Sequence, residues 1–226
     1  MNKSEQVFQI LRKNKLIALL APKRVEQCVT AYEVLNPLGI ILEIAFRTED
    51  AMKGIEQLVA THSDALILAG TVMTRKQCEG ALRCGVAGIV SADYIPDVVR
   101  MSVEHDVMCV PGGLGDVGKQ LVQKADLYGC DLDDLRTRYP YQWIYKLFPA
   151  ITTTTSNVGF SAAWKGPFRD LMVIYTGGVT LQNLSDVVRL DPDGIYCGSA
   201  ITKLIDDPES MRKEAERWIE VIKKQM

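Results

Sequence analysis

The sequence predicts a (β/α)8 TIM barrel, an α/β fold in one domain over 1–226 with a lead helix at its N-terminus. Three observations carry the prediction. Eight short apolar runs recur along the 226 residues. Amphipathic stretches of helical period lie between most of them, as in a sheet whose strands are covered on both faces. The stretch after the first run reads Ala21-Pro22-Lys23-Arg24, not the glycine-rich phosphate fingerprint of an open doubly wound sheet.

Taken in order, a lead helix at about 4–13 precedes the first run, 16–21. Lys13-Asn14-Lys15 ahead of Leu16–Ala21 resembles the start of a signal peptide, but the run is short and no small-residue cleavage site follows. A buried first strand is the better reading. Val25, Val29, Tyr32 and Leu35 share a helix face before the second run, 40–46. Thr48-Glu49-Asp50 reads as an N-cap for a helix carrying Ala51, Ile55, Leu58 and Val59. The third run is 66–70, Thr74 caps the next helix, and the fourth and fifth runs are 86–90 and 107–110. Val117, Leu121, Val122 and Ala125 form the following apolar face. Roughly 33 residues then separate the fifth run from the sixth, 144–148. Most of the surplus is 128–141, read as an insertion between strands five and six. A loop of that length is often functional; a solvated excursion with a short helix explains it equally. The seventh and eighth runs, 171–175 and 194–197, flank a helix face of Leu181, Leu184, Val187 and Val188, and a helix at about 207–224 closes the chain.

Composition narrows the function classes. A net charge of −2 with mixed signs leaves no electrostatic footprint for nucleic acid or an anionic membrane. No run approaches the ~20 apolar residues of a membrane helix. The six cysteines contain no Cys-x-x-Cys pair, and the two histidines, His62 and His105, are far apart. A zinc site is therefore not expected, and the cysteines read as buried thiols of a reducing, cytoplasmic compartment.

Barrel enzymes carry their chemistry at the C-terminal ends of the strands. Period-two alternation puts Glu43, Ala45 and Arg47 on the barrel side of strand two, with Leu42, Ile44 and Phe46 toward the helices. In Ile144-Tyr145-Lys146-Leu147-Phe148-Pro149-Ala150 it turns Tyr145 and Leu147 outward and brings Lys146 and Phe148 inside, where Glu43 also points. Lysine is almost never fully buried without a partner or a task. Desolvation favours the neutral form of an amine, and a neutral amine can attack a carbonyl to form a Schiff base while a carboxylate moves the protons. A structural ion pair is the bland alternative. Thr71 supplies a hydroxyl at the mouth after Gly70. Strands seven and eight end in Gly177-Gly178 and Gly198-Ser199 before a short helix, Ala200 to Ile205. Exposed backbone N–H groups there suit a phosphate, or the glycines simply make tight turns.

The ordered series Leu42-Glu43-Ile44-Ala45-Phe46-Arg47-Thr48, Ala69-Gly70-Thr71-Val72, Val110-Pro111-Gly112, Lys146-Leu147-Phe148-Pro149-Ala150, Gly166-Pro167-Phe168, Thr176-Gly177-Gly178 and Gly198-Ser199 resembles the family of 2-keto-3-deoxy-6-phosphogluconate (KDPG) and 4-hydroxy-2-oxoglutarate (KHG) aldolases over about 16–205. The resemblance implies a lyase of carbohydrate metabolism: a class I, pyruvate-forming aldolase, usually a homotrimer, that uses no metal or other cofactor. It implies that Lys146 is the Schiff-base lysine and Glu43 the general acid/base. Arg47 and Thr71 would hold the pyruvyl carboxylate, Pro111 and Phe148 line the pocket, and Gly177, Gly178 and Ser199 bind a distal phosphate. Three loops depart from the family pattern, Ser91-Ala92-Asp93 after strand four, Gly113-Leu114-Gly115-Asp116-Val117-Gly118, and the hydroxyl-rich Ile151-Thr152-Thr153-Thr154-Thr155-Ser156-Asn157, and the long insertion before strand six is also unusual for it. A sugar-phosphate isomerase or epimerase, or a non-catalytic sugar-phosphate binder, stays open as an alternative at this point.

Overall fold

The structure is a computed structural model and describes residues 1–225. Its strands are β1 (Leu16–Leu20), β2 (Ile41–Ala45), β3 (Ile67–Gly70), β4 (Gly88–Val90), β5 (Met108–Val110), β6 (Gly112–Gly113), β7 (Ile144–Leu147), β8 (Met172–Thr176) and β9 (Ile195–Gly198). All pair in parallel, in the order β5-β4-β3-β2-β1-β9-β8-β7-β6. Nine strands stand where eight runs were expected because the chain goes on after the fifth run, past Pro111, which has no N–H to give to a ladder, into a two-residue strand. Before Pro111 β5 pairs with β4, and after it β6 pairs with β7. One continuous stretch of chain thus joins the two ends of the sheet into a nearly closed barrel.

The helices are α1 (Lys3–Asn14), α2 (Gln27–Leu35), α3 (Asp50–Thr61), α4 (Arg75–Arg83), α5 (Pro96–Glu104), α6 (Val117–Tyr128), α7 (Leu132–Arg138), α8 (Phe160–Lys165), α9 (Leu181–Leu190), α10 (Ser199–Thr202) and α11 (Pro208–Gln225). Alternation along the strands sorts two cores. Leu42, Ile44, Tyr145 and Leu147 join the core under the helices. Ile41, Ala45, Ile144 and Cys197 fill the barrel, whose N-terminal end is plugged by Val7, Phe8 and Leu11 of α1. Burying a side chain of this size contributes roughly 1.5–3 kcal/mol, so strand register is fixed mainly by which face meets which core.

Two local expectations turn out differently. Thr74 caps α4 in a capping box with Gln77, but Thr48 is no cap. Its hydroxyl donates to the Pro22 carbonyl at 2.6 Å, and Glu49 enters α3 with helical dihedrals and no side-chain bond. Val122 is 47% exposed, because one helical step of about 100° from Leu121 carries it off the apolar face. The stretch 128–141 carries the short helix α7 on the surface and is anchored at a few points. Asp131 caps α7, Leu135 is fully buried, and Tyr128 stacks on Tyr139 with ring centroids 3.9 Å apart. Both Tyr128 and Tyr141 donate hydroxyls to Asp106, which ties the segment to the end of α5.

Candidate active site

Glu43 on β2 and Lys146 on β7 are both buried inside the barrel, and Lys146 Nζ lies 4.0 Å from Glu43 Oε1. That oxygen has no hydrogen-bond partner among the described residues. A buried carboxylate oxygen with an unused lone pair is costly unless a function uses it. The other oxygen, Oε2, accepts a long contact from the Cys197 thiol at 3.9 Å. Burial, reinforced by the neighbouring Glu43 charge, pushes the Cys197 thiol up to about 12, so at neutral pH it remains a donor. Gly70 makes the room: a Cβ there would sit 2.1 Å from Glu43 Oε1. The Lys146 ammonium lies 5.3 Å from the centre of the Phe148 ring, within cation–π range.

The backbone that places Lys146 comes from the stretch just after the fifth run. Lys146 N–H donates to the Pro111 carbonyl at 2.9 Å, and Phe148 N–H to Gly113 at 3.2 Å. Pro111 therefore acts through its carbonyl as well as its ring, and both Pro111 and Gly112 are buried.

Arg47 lies at the rim of the mouth, close enough to Cys197 for its charge to act on that thiol. β2 ends at Ala45, and Arg47 N–H bonds back to the Ala45 carbonyl at 2.7 Å. The chain turns there, so the period of two no longer applies, and the guanidinium is exposed on the rim. It still meets its expected companion: Arg47 Nε donates to Thr71 Oγ1 at 3.3 Å. Thr71 holds a left-handed backbone, φ 55°. That conformation is uncommon for a β-branched residue and recurs at functional positions.

At the ends of β8 and β9 the register Thr176↔Cys197 brings Gly177-Gly178 alongside Gly198-Ser199. Both Gly177 (φ 83°) and Gly178 (φ 76°) occupy left-handed backbone that favours glycine. Ser199 is exposed and opens α10, which ends at Thr202 rather than Ile205; Leu204 and Ile205 continue as turns. The threonine run is a small hairpin folded against this corner. Ile151 bridges Ser156, Thr152 Oγ1 accepts from Thr155 N–H at 2.9 Å, and Ile151 N–H bonds to Gly177 at 2.9 Å. A Cβ on Gly178 would meet the Ile151 carbonyl at 2.1 Å, so the hairpin needs glycine there.

The model of the aldolase family "KDPG and KHG aldolase" matches residues 7–128, more than half of the chain. The chain belongs to the KDPG and KHG aldolase family. The matched region of this aldolase includes Glu43, Arg47, Thr71 and Pro111 and stops before Lys146. A 2-dehydro-3-deoxy-phosphogluconate aldolase of Haemophilus influenzae is 25% identical over 198 residues, covering 87% of this chain and 85% of its own. One from Treponema pallidum is 27% identical over 195 residues, 86% and 84% of the two chains. Among solved structures, a 4-hydroxy-2-oxoglutarate/2-dehydro-3-deoxyphosphogluconate aldolase from TTHB1 superposes with a TM-score of 0.76 at 24% identity, over 98% of this chain and 99% of that one. A KDPG aldolase from Legionella pneumophila, solved with pyruvate captured as a covalent carbinolamine, has a TM-score of 0.73 at 23% identity over 96% and 98%. At these identities the structural matches establish the shared barrel fold.

Sequence reasoning passed over two residues of consequence. Cys197 touches Glu43, and the alternation Ile195-Tyr196-Cys197 already turns it inward. Lys124 is a second fully buried lysine, on α6, donating to the Cys109 carbonyl at 2.7 Å and the Gln142 carbonyl at 2.8 Å. Its position three residues after Leu121 was the available signal.

Proposed function

We propose that this aldolase works through a Schiff base on Lys146 and cleaves 2-keto-3-deoxy-6-phosphogluconate to pyruvate and glyceraldehyde 3-phosphate. The observation that carries the reading is the buried Lys146–Glu43 pair with its unpartnered carboxylate oxygen. In the neutral form, Lys146 Nζ attacks the C2 ketone. Glu43, having taken a proton from the Lys146 ammonium, gives it to the carbinolamine oxygen, whose other proton comes from the attacking nitrogen, and water leaves to give the iminium. Glu43, again a carboxylate, takes the C4 hydroxyl proton. The C3–C4 bond breaks, its electron pair enters the iminium, and the aldehyde departs. The enamine left on Lys146 is protonated at C3, and hydrolysis releases pyruvate and the free amine. The iminium is the electron sink, and Cys197 holds Glu43 in place through its second oxygen.

Arg47 and Thr71 would bind the pyruvyl carboxylate from the rim, and their mutual hydrogen bond supports that pairing. Phe148 and Pro111 would wall the pocket around the reacting carbons. Gly177, Gly178 and Ser199 would receive the 6-phosphate at the corner the β8–β9 register forms. A homotrimer working in the cytoplasm completes the reading, and six free thiols suit that compartment. Pyruvate release from phosphorylated and unphosphorylated keto-deoxy acids tests the substrate. The 6-phosphorylated compound should be preferred, and Ser199→Ala should raise its KM roughly tenfold while leaving the unphosphorylated KM unchanged. Equal use of both compounds by the native chain would remove the phosphate from the reading. Sedimentation equilibrium tests the trimer.

A further inference from the structure

The end of the barrel opposite the Lys146–Glu43 pair carries a cavity of about 620 Å³, within the usual range for a small-molecule site. It lies between α1, α7 and the loops that lead into β1, β7, β8 and β9. Its walls hold five cations, Arg12, Lys15, Arg136, Lys165 and Arg169, against two carboxylates, Asp170 and Asp193. Some of that charge is already used. Lys165 is held by both oxygens of Asp191 at 2.5 and 2.6 Å. Arg136 bonds Asp170 at 2.9 Å and Asp133 at 3.3 Å, and Arg169 lies 3.5 Å from Asp170.

Arg12 and Lys15 are left over. Arg12 has no carboxylate within 4.0 Å among the described residues, and its guanidinium lies 5.9 Å over the Phe8 ring. Lys15 is the sharper case. Its side chain is only 8% exposed, and its ammonium makes no hydrogen bond among the described residues. The one carboxylate within 4.0 Å is Asp193, at 3.8 Å and itself 90% exposed. The backbone holds Lys15 in place: it is the left-handed residue (φ 58°) that ends α1, with its N–H on the Leu11 carbonyl at 2.9 Å. A lysine whose side chain is nine-tenths buried and whose ammonium has only one loose carboxylate nearby carries a desolvation cost that nothing in the fold offsets fully. Burial pulls its pKa below that of an ordinary lysine, Asp193 and Asp191 oppose this in part, and Lys165 and Arg12 lower it further. A bound anion would relieve all of these costs at once.

We propose that this cavity binds a small phosphorylated metabolite, with Lys15 and Arg12 as the primary phosphate contacts and Arg169 at the entrance. The site is separate from the mouth and uses none of the residues of the aldol reaction. Either a sugar phosphate or a nucleotide supplies the same phosphate chemistry. Titration calorimetry of the full chain with pyrophosphate tests the site, with ribose 5-phosphate and AMP in parallel arms to separate the two sources. The native chain should bind, and Lys15→Met and Arg12→Ser should each weaken binding at least tenfold. Both variants should keep native kcat and KM when no anion is added. Arg12 is exposed, so Arg12→Ser reports even where Lys15→Met disturbs the end of α1. Equal affinity in the native chain and both variants places the anion elsewhere and overturns the proposal, as does no binding to the native chain.

Discussion

Lys146 and Lys124 are both buried, and the chain treats them in opposite ways. Lys124 lies outside the barrel, under α6, and its ammonium donates to two backbone carbonyls at 2.7 and 2.8 Å. Lys146 lies inside the barrel, with a carboxylate oxygen 4.0 Å away that has no hydrogen bond of its own. Burial is common to both; satisfaction is not. A buried cation whose donors reach fixed acceptors binds segments together. One left at a distance from an unsatisfied acid keeps both groups free for a third party.

The largest expected contrast lies in activity. Lys146→Met should lower kcat by roughly a millionfold, as removal of a covalent nucleophile does. Lys124→Met should leave kcat within a few-fold, and a steady-state assay on the two purified variants compares them directly. Comparable losses in both would erase the distinction. A smaller effect sharpens the role of the unpartnered oxygen. Gly70→Ala puts a methyl where Glu43 Oε1 lies, 2.1 Å from the ideal Cβ, so Glu43 must move. If Glu43 is the proton carrier proposed above, its displacement should lower kcat about 100-fold or more, within the range that acid–base catalysis supplies. Cys197→Ser keeps a donor beside Oε2 and should cost far less than Gly70→Ala in the same assay.

The smallest effect is thermodynamic and belongs to Lys124. Burial lowers its pKa to about 8 from 10.5. Between those values the unfolded chain holds the proton and the folded chain does not. Folded stability must therefore rise with pH across that window. The penalty is fully present below pH 8 and is relieved as pH rises through 10.5. Against Lys124→Met, which shares every other titration, the native chain should gain up to about 3 kcal/mol from pH 8 to 10.5. Urea unfolding of both at several pH values measures the difference; a flat difference would mean that Lys124 keeps its proton.

The sequence makes the barrel and the Lys146–Glu43 pair legible for one reason. Both follow from the period of two in strands covered on both faces. Where that period stops, so does the reading. Arg47 follows the end of β2 at Ala45, where the chain turns, so its bond to Thr71 is nothing that strand alternation announces. The Thr48 hydroxyl reaches a neighbouring loop, Pro22, instead of its own helix. Lys124 was passed over because its acceptors are carbonyls of Cys109 and Gln142, which no side-chain pattern announces. The cavity at the base draws on α1, α7 and four separate loops, so only the folded chain brings Arg12 and Lys15 beside Arg169.

The central claim is that Lys146, not Lys124 or Lys15, forms the covalent bond. Incubation of the full chain with pyruvate and borohydride, followed by peptide mapping in a mass spectrometer, tests it. A single reduced pyruvyl adduct on Lys146, absent from Lys146→Met, is the expected result. An adduct on another lysine, or no adduct at saturating pyruvate, would contradict it.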